Sequence, residues 1–430
     1  RGLGDVYKRQ AIPVLRKLAE SDLQNPQSKV EPQGAASYGI PPVLTPIYLR
    51  ECMFRRGVNL EEIPCLEIGM QQVKDAVADG VRLIAFTTTW LPTPHGAFHL
   101  RKAVSQVKAL APEVPIVVGG VGVRKGLLAI KRLAEGQLNG ITREELADEF
   151  LLIDAGLDKE ISAIVTGEGG EETLAEIAKR LRSGRDFLDL PNLAIPTDNG
   201  YRFTAEKSEQ SLLDHEIVNW DRYTERLGRF DAPVRTAVGC PFSCEFCDFA
   251  QLYKPQLRSI RGLLTELRTL AGAPPAPHNV FFADDNVAIS KKRLAEFTQA
   301  LITEQLKLTW RAFIRADSVD EESASLMRES GCRECFLGIE SGDPDILANM
   351  KKELDPDKAL RAIELLDRNG INTQCTFVVG FPGECSRSIE RTASFISAFP
   401  SGDQANAIQR YYLFRFQAWP LCPVSSTIQR

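Results

Sequence analysis

The second half of the chain alternates short apolar runs with amphipathic stretches, and this repeat constrains the fold more than any other feature. Strand-like runs fall at 233–238 (PVRTAV), 278–282 (HNVFF), 307–314 (KLTWRAFI), 333–339 (RECFLGI), 372–379 (NTQCTFVV) and 409–416 (QRYYLFRF). Helical stretches separate them at 258–270, 291–305, 319–330, 355–369 and 386–399, with Gly331 and Gly370 where helices end. Six strands with five crossover helices predict a parallel, barrel-like sheet, too short for a full eightfold barrel: a partial (β/α)6 barrel.

Polar and reactive groups gather just after these strands. A cysteine loop follows the first, ADDN (283–286) the second and RAD (315–317) the third; ESGD (340–343) and GFPGE (380–384) follow the fourth and fifth. Loops at the carboxyl ends of parallel strands converge over one mouth, so the pattern predicts an enzyme's active face.

The cysteine loop, VGCPFSCEFCDFA (238–250), places Cys240, Cys244 and Cys247 in a C-x3-C-x2-C spacing. Thiolates are soft ligands that select zinc, copper(I) or iron–sulfur clusters. Structural zinc takes four protein ligands, and a second pair exists at Cys332 and Cys335. Cys335 falls inside a buried-type strand, however, and Cys332 closes the preceding helix. The stronger reading is a [4Fe–4S] cluster on three thiolates, with one iron open to a small molecule. Phe242, Phe246 and Phe249 would exclude water there, or simply pack in the core.

The first half, 40–185, also alternates helix and strand. VRLIAFTTTW (81–90), VPIVVGG (114–120) and ISAIVTGEGG (161–170) are buried-type strands, which predicts a Rossmann-like parallel sheet covered on both faces. A helical insertion spans about 121–158, and 186–232 reads as a linker with a hairpin at NLAIPTDNGYRFTA. GGVGVRKG lacks the G-x-G-x-x-G spacing of a dinucleotide site. His95 and His99 have the spacing of a helical metal pair, without the Glu of a zinc protease.

Composition excludes several classes. The net charge of −5 over 430 residues gives no basic footprint for nucleic acid. No apolar run approaches the roughly 20 residues of a membrane span. The stretch RKLAESDLQNPQSK is too polar for a secretory leader, and the ten cysteines read as thiols or cluster ligands in a cytoplasmic protein. Residues 1–10 read as a non-native tail, and the domain at 233–430 is expected to be truncated at its C-terminus.

GCPFSCEFCDF, followed in order by FFADDN, WRAFIRAD, FLGIESGD and FVVGFPGE, resembles the radical S-adenosylmethionine (SAM) enzymes, in the branch with an N-terminal cobalamin-binding-like domain. The resemblance covers about 40–425. It implies that SAM chelates the open iron and that an electron from flavodoxin or ferredoxin cleaves it to a 5′-deoxyadenosyl radical. The radical would act on a small-molecule or peptide substrate. Glu340 matches the family position for the ribose hydroxyls, with Ser341 beside it; on physical grounds Asp284 or Asp285 would accept the ammonium group, and Gly380 and Pro382 would let the backbone approach the adenine closely. Arg315 would pair with the methionyl carboxylate or with Asp317. In the front domain, Thr87, Thr88 and Thr89 with Gly119 and Gly120 match the cobalamin loops, although the D-x-H-x-x-G motif is absent. Methyl transfer to an unactivated carbon is the expected outcome. The alternatives are radical rearrangement or ring formation without methylation, and a non-enzymatic metal-binding protein.

Overall fold

The computed structural model of the chain describes residues 44–61, 63, 66–88, 96–138, 160–167, 169–198, 200–209, 213–227, 231–249, 252–276, 278–400, 407–418 and 421–426. They divide into two compact units, Thr45–Leu212 with Trp419–Arg430, and Leu213–Ala418.

The first unit runs α1 (Leu44–Arg55), α2 (Leu66–Ala78), β1 (Ile84–Thr87), α3 (Gly96–Leu110), β2 (Ile116–Gly119), α4 (Val121–Ala134), β3 (Ala163–Val165), α5 (Glu171–Arg182), β4 (Leu193–Thr197) and β5 (Gly200–Phe203). Its sheet has the order β1-β2-β3-β4-β5, with the first three strands parallel. Successive residues of β2 face opposite sides, as the period of a strand requires. Ile116 and Val118 pack with Val104 and Val107 of α3 and Leu127 of α4, whereas Val117 packs with Met53 of α1 and Ile177 of α5. Helices thus cover both faces, which is why these strands carry no polar alternation.

Three departures from the sequence reading concern this unit. The expected hairpin in the 186–232 linker is β4–β5, and it joins the sheet antiparallel to β3, making the sheet mixed. Leu193, Ala194 and Ile195 are buried and so belong to the core. The expected insertion at 121–158 begins with an ordinary crossover: α4 buries Val123, Leu127 and Ala129. Residues 139–159 of it lie outside the described residues. Leu421 and Cys422, assigned from sequence to the barrel, are buried in a segment that groups with the first unit.

The second unit contains β6 (Ala232–Val234), a two-stranded ribbon of β7 (Ala237–Val238) and β8 (Gln256–Leu257), α6 (Ile260–Gly272), β9 (His278–Phe282), α7 (Lys291–Glu304), β10 (Leu308–Ile314), α8 (Glu321–Glu329), β11 (Cys332–Glu340), α9 (Pro344–Asn349), α10 (Pro356–Arg368), β12 (Asn372–Val379), α11 (Ser386–Ser397) and β13 (Gln409–Arg415). The sheet order is β13-β12-β11-β10-β9-β6, parallel throughout. Helices start where short polar side chains accept backbone N–H groups: Ser259, Ser290, Asp320 and Asp355 cap α6, α7, α8 and α10. Gly331 leaves α8 at φ +100°, and a Cβ there would sit 2.5 Å from the Leu308 carbonyl oxygen, so only glycine fits. Phe282 of β9, Phe297 of α7 and Trp310 of β10 pack edge to face at 5.0–5.7 Å and fill the layer between sheet and helices.

The junction from β8 into α6 rests on a buried ion pair. Arg258 donates to Glu266 at 2.7 Å, and the two side chains are 1% and 0% exposed. Arg258 also donates to the Arg235 carbonyl. Removing one partner strands a buried charge, so Glu266→Ala is expected to cost about 3–5 kcal/mol in urea unfolding. A loss below about 1 kcal/mol would mean that the pair is as weak as a solvated one.

Candidate active site at the strand carboxyl ends

The chain leaves the sheet after β6 and is turned aside at once. Asp284, just past β9, accepts from the backbone N–H of Thr236 at 2.9 Å and of Ala237 at 3.0 Å, and from the Thr236 hydroxyl. Those N–H groups would otherwise extend the ladder. The run 233–238, read as one strand, is therefore broken at 235–236. Ala237 and Val238 pair antiparallel with Leu257 and Gln256, closing the base of the cysteine loop. Burial pushes the Asp284 carboxyl up to about 6, against the pull of these hydrogen bonds. Asp284 is thus engaged in holding the loop and is only 5% exposed. The exposed neighbour Asp285 is an acid whose charge reaches both Cys240 and Cys247, the latter also feeling Asp248.

The cysteine loop opens with Gly239 at φ +72°, where a Cβ would lie 3.0 Å from the Tyr253 carbonyl oxygen. Cys247 N–H donates to the Cys244 carbonyl, and negative charge on Cys244 acts on both Cys240 and Cys247. Burial raises all three thiols, Cys247 to about 11. Among the described residues no set of three or more His, Cys, Asp or Glu side chains is gathered closely enough to share an ion. The donor set is nonetheless of the right chemistry for a thiophilic metal, which would displace the thiol protons on binding. Cys332 and Cys335 stand 3.7 Å apart at 0% exposure within β11, as inert core thiols.

A strap from a different part of the chain fixes the loop. The Met350 carbonyl accepts from Glu245 N–H at 2.9 Å, and Lys351 pairs with Glu245 at 2.5 Å. Arg315 stacks over Phe242 at 4.0 Å, chelates Asp317 through two nitrogens, and donates to the Lys352 carbonyl at 2.7 Å. Asp317 is one of the two partners expected for Arg315. Sequence reading missed this strap: MKKE (350–353) resembles any solvated helix end, and the left-handed φ angles of Lys351 (47°) and Glu353 (53°) leave no sequence signal.

Glu340 closes β11 at φ +69°, a conformation that non-glycine residues rarely adopt, next to a register shift between Gly338 and Glu340. Its carboxylate, 7% exposed, folds back over Gly338 toward Lys352 Nζ, 3.5 Å away. Burial raises its pKa, and Lys352 is the largest opposing influence. Ser341, expected beside a ribose, is tied into the main chain of the following turn. At 0% exposure, its hydroxyl accepts from Asp343 N–H and lies 3.2 Å from the Thr392 hydroxyl, joining β11 to α11. In GFPGE, Gly380 has φ +93° and donates its N–H to the Glu384 carboxylate; Pro382 is half-buried.

In the first unit, Thr87 is exposed at the end of β1. Thr88 donates its hydroxyl to the Gly119 carbonyl at 2.8 Å and accepts from Val123 N–H, so it locks β1 to β2 and α4. Gly120, at φ +98°, begins α4, whereas Gly119 has room for a Cβ. Thr89 and His95 lie outside the described residues, as does the side chain of His99.

A parallel sheet with a thiol-bearing loop, buried cations and acids at its carboxyl ends defines an α/β enzyme domain. Residues 234–396 match the model of the Radical SAM superfamily. The chain is 28% identical over 243 residues to an uncharacterized methyltransferase, PH0819, of Pyrococcus horikoshii, covering 55% of this chain and 52% of that one. It is also 28% identical over 249 residues to the anaerobic magnesium-protoporphyrin IX monomethyl ester cyclase of Rubrivivax gelatinosus, covering 54% and 44%. The chain thus spans about half the length of these curated relatives. Its fold is that of the radical SAM methyltransferase TsrM from Kitasatospora setae, with TM-score 0.64, 17% identity, and 88% of this chain and 71% of that one covered. No described helix is long and apolar enough to cross a membrane.

Two predictions follow from the geometry. Asp284→Ala leaves two buried N–H groups without an acceptor, at about 1–3 kcal/mol each. It should lower stability in urea and reduce iron uptake by the loop, whereas Asp284→Asn should lose less of both. For Glu384, burial raises the pKa to about 7 from an ordinary value of 4.5. As pH falls from 7 to 4.5, the native protein takes up a proton that the unfolded chain does not, and stability rises across that window. Glu384→Gln should therefore be more stable than wild type above neutral pH, by on the order of 1 kcal/mol or more. The advantage should fade on acidification, as thermal melts across the pH range would register.

Proposed function

We propose that this chain is a cobalamin-dependent radical SAM methyltransferase that acts on an unactivated carbon of a small-molecule or peptide substrate. The observation that carries the reading is the placement of Cys240, Cys244 and Cys247 on one loop at the strand carboxyl ends, with buried Lys352 and Arg315 beside it and Glu340 across from it. Cys240, Cys244 and Cys247 would hold a [4Fe–4S] cluster. Glu340, Asp285, Gly380 and Pro382 would hold SAM, and Thr87, Gly119 and Gly120 would border cobalamin. When bound, the cluster supplies the electron that opens the sulfonium of SAM, and cobalamin supplies a carrier for the methyl group.

The chain's own residues then have separable tasks. Glu340 offers a buried anionic acceptor for hydroxyl groups, stronger there than in water because competing solvent is excluded. Arg315 holds the Phe242 ring against the loop and so keeps water off the thiols. Gly120 exposes bare main chain at the start of a 14-residue helix, where a polar ligand group can approach closely. An external flavodoxin or ferredoxin would deliver the electron. A second reading, ring formation without methyl transfer, draws support from the cyclase relative. Cobalamin content, and a methylated product on anaerobic incubation with SAM and reductant, separate the two.

Single Ala variants of Cys240, Cys244 and Cys247 should each abolish the iron chromophore after anaerobic reconstitution, while Cys332→Ala and Cys335→Ala keep it. Loss of the chromophore in a folded Cys335→Ala protein would point to a four-thiol site instead.

A further inference from the structure

Lys352 is a buried cation with no evident structural need. Its side chain is 10% exposed, and its ammonium lies 3.5 Å from the Glu340 carboxylate, itself 9% exposed, and 5.8 Å from the Phe246 ring. A solvated lysine would avoid such a position, since removing a charge from water is expensive unless it is paired. Its main chain is pinned from two sides: Lys352 N–H donates to the Leu347 carbonyl at 3.0 Å, and its own carbonyl accepts from Arg315. The neighbouring Met350 and Lys351 are the residues that bind Glu245 in the middle of the cysteine loop. The ammonium is therefore carried by the same strap that fixes the thiols, and of the opposite charges acting on Cys244 it is the largest.

Gly338 completes the arrangement. A Cβ on it would meet Glu340 Oε1 at 2.4 Å and Lys352 Nζ at 3.0 Å. The ion pair thus occupies the space that a side chain at 338 would fill, on the face of β11 toward which the register shift turns Glu340.

We propose that Lys352 is the positioning residue of the site: it draws the Glu340 carboxylate back over Gly338 and fixes its distance from the cysteine loop while setting a positive charge beside Cys244. This rests on the reading that Glu340 serves bound SAM and the three cysteines serve a cluster. One residue then couples the two: it orients the acceptor for the nucleoside and offsets the negative charge of thiolate-bound iron, which favours taking up an electron.

The test uses the full chain, anaerobically reconstituted, with equilibrium dialysis of SAM and redox titration of the iron chromophore. Loss of an oriented charged acceptor should weaken SAM binding about 10- to 100-fold in Lys352→Met. Removal of the charge should also make the cluster harder to reduce, a tenfold change in its one-electron equilibrium being about 59 mV. Lys352→Arg should recover most of both. Gly338→Ala tests the pair from the other side: its Cβ crowds the carboxylate and the ammonium together, so SAM binding should weaken with the lysine still present. This variant also carries the test if Lys352→Met fails to load iron. Unchanged SAM affinity in Lys352→Met or in Gly338→Ala overturns the inference. Wild-type protein that loads no iron or binds no SAM would instead overturn the functional reading, and this inference with it.

Discussion

The grip of Asp284 on Thr236 and Ala237 is the interaction on which the rest of the site depends. Parallel strands tend to run on into their neighbours, because every unpaired N–H seeks a carbonyl. A carboxylate from the next strand takes those N–H groups instead and sends the chain into a loop closed by a two-stranded ribbon. The thiols stand where they do because the ladder ends there. Burial that makes Asp284 reluctant to ionise also makes its hydrogen bonds strong, since no water competes for them.

Charge balance organises what surrounds the loop. Arg315 and Lys352 approach from β10 and from the turn after α9, and each is fixed by the other's segment through the bond from Arg315 to the Lys352 carbonyl. Arg315 is neutralised by Asp317, and Lys352 by Glu340. The two pairs differ in what they can still do. Arg315 is chelated by one carboxylate and stacked on a ring, so it acts as scaffold, whereas the 3.5 Å Lys352–Glu340 contact leaves the carboxylate able to accept further donors.

Much of the barrel was legible because its signals are local. Apolar runs gave the strands of the second sheet, and Gly331 and Gly370 sit at positive φ where α8 and α10 end. The strand-end motifs also located the candidate site. Their inner division was not legible. In ADDN, one aspartate is a structural clamp and its neighbour faces the thiols; in ESGD, Glu340 is turned inward while Ser341 and Asp343 organise the start of α9. Adjacent residues of like chemistry are separated only by which way the backbone turns, and that depends on partners 48 residues away for Asp284 and 51 for Ser341. The same holds for Thr88, whose hydroxyl reads as a ligand group until its bond to Gly119, 31 residues on, is known. The strap at 350–353 had no signal at all, because its hold on the loop comes from two left-handed residues and the carbonyls of Met350 and Lys352.

Electron paramagnetic resonance of the reduced, reconstituted protein, recorded with and without SAM, addresses most directly whether the cysteine loop leaves one metal corner open beside Glu340. Iron held by three thiolates takes the added ligand, and the signal should change shape and g-values on addition of SAM. Identical spectra with and without SAM, in protein that carries its full complement of iron, would mean that the chain closes the fourth corner itself and would contradict the proposed site.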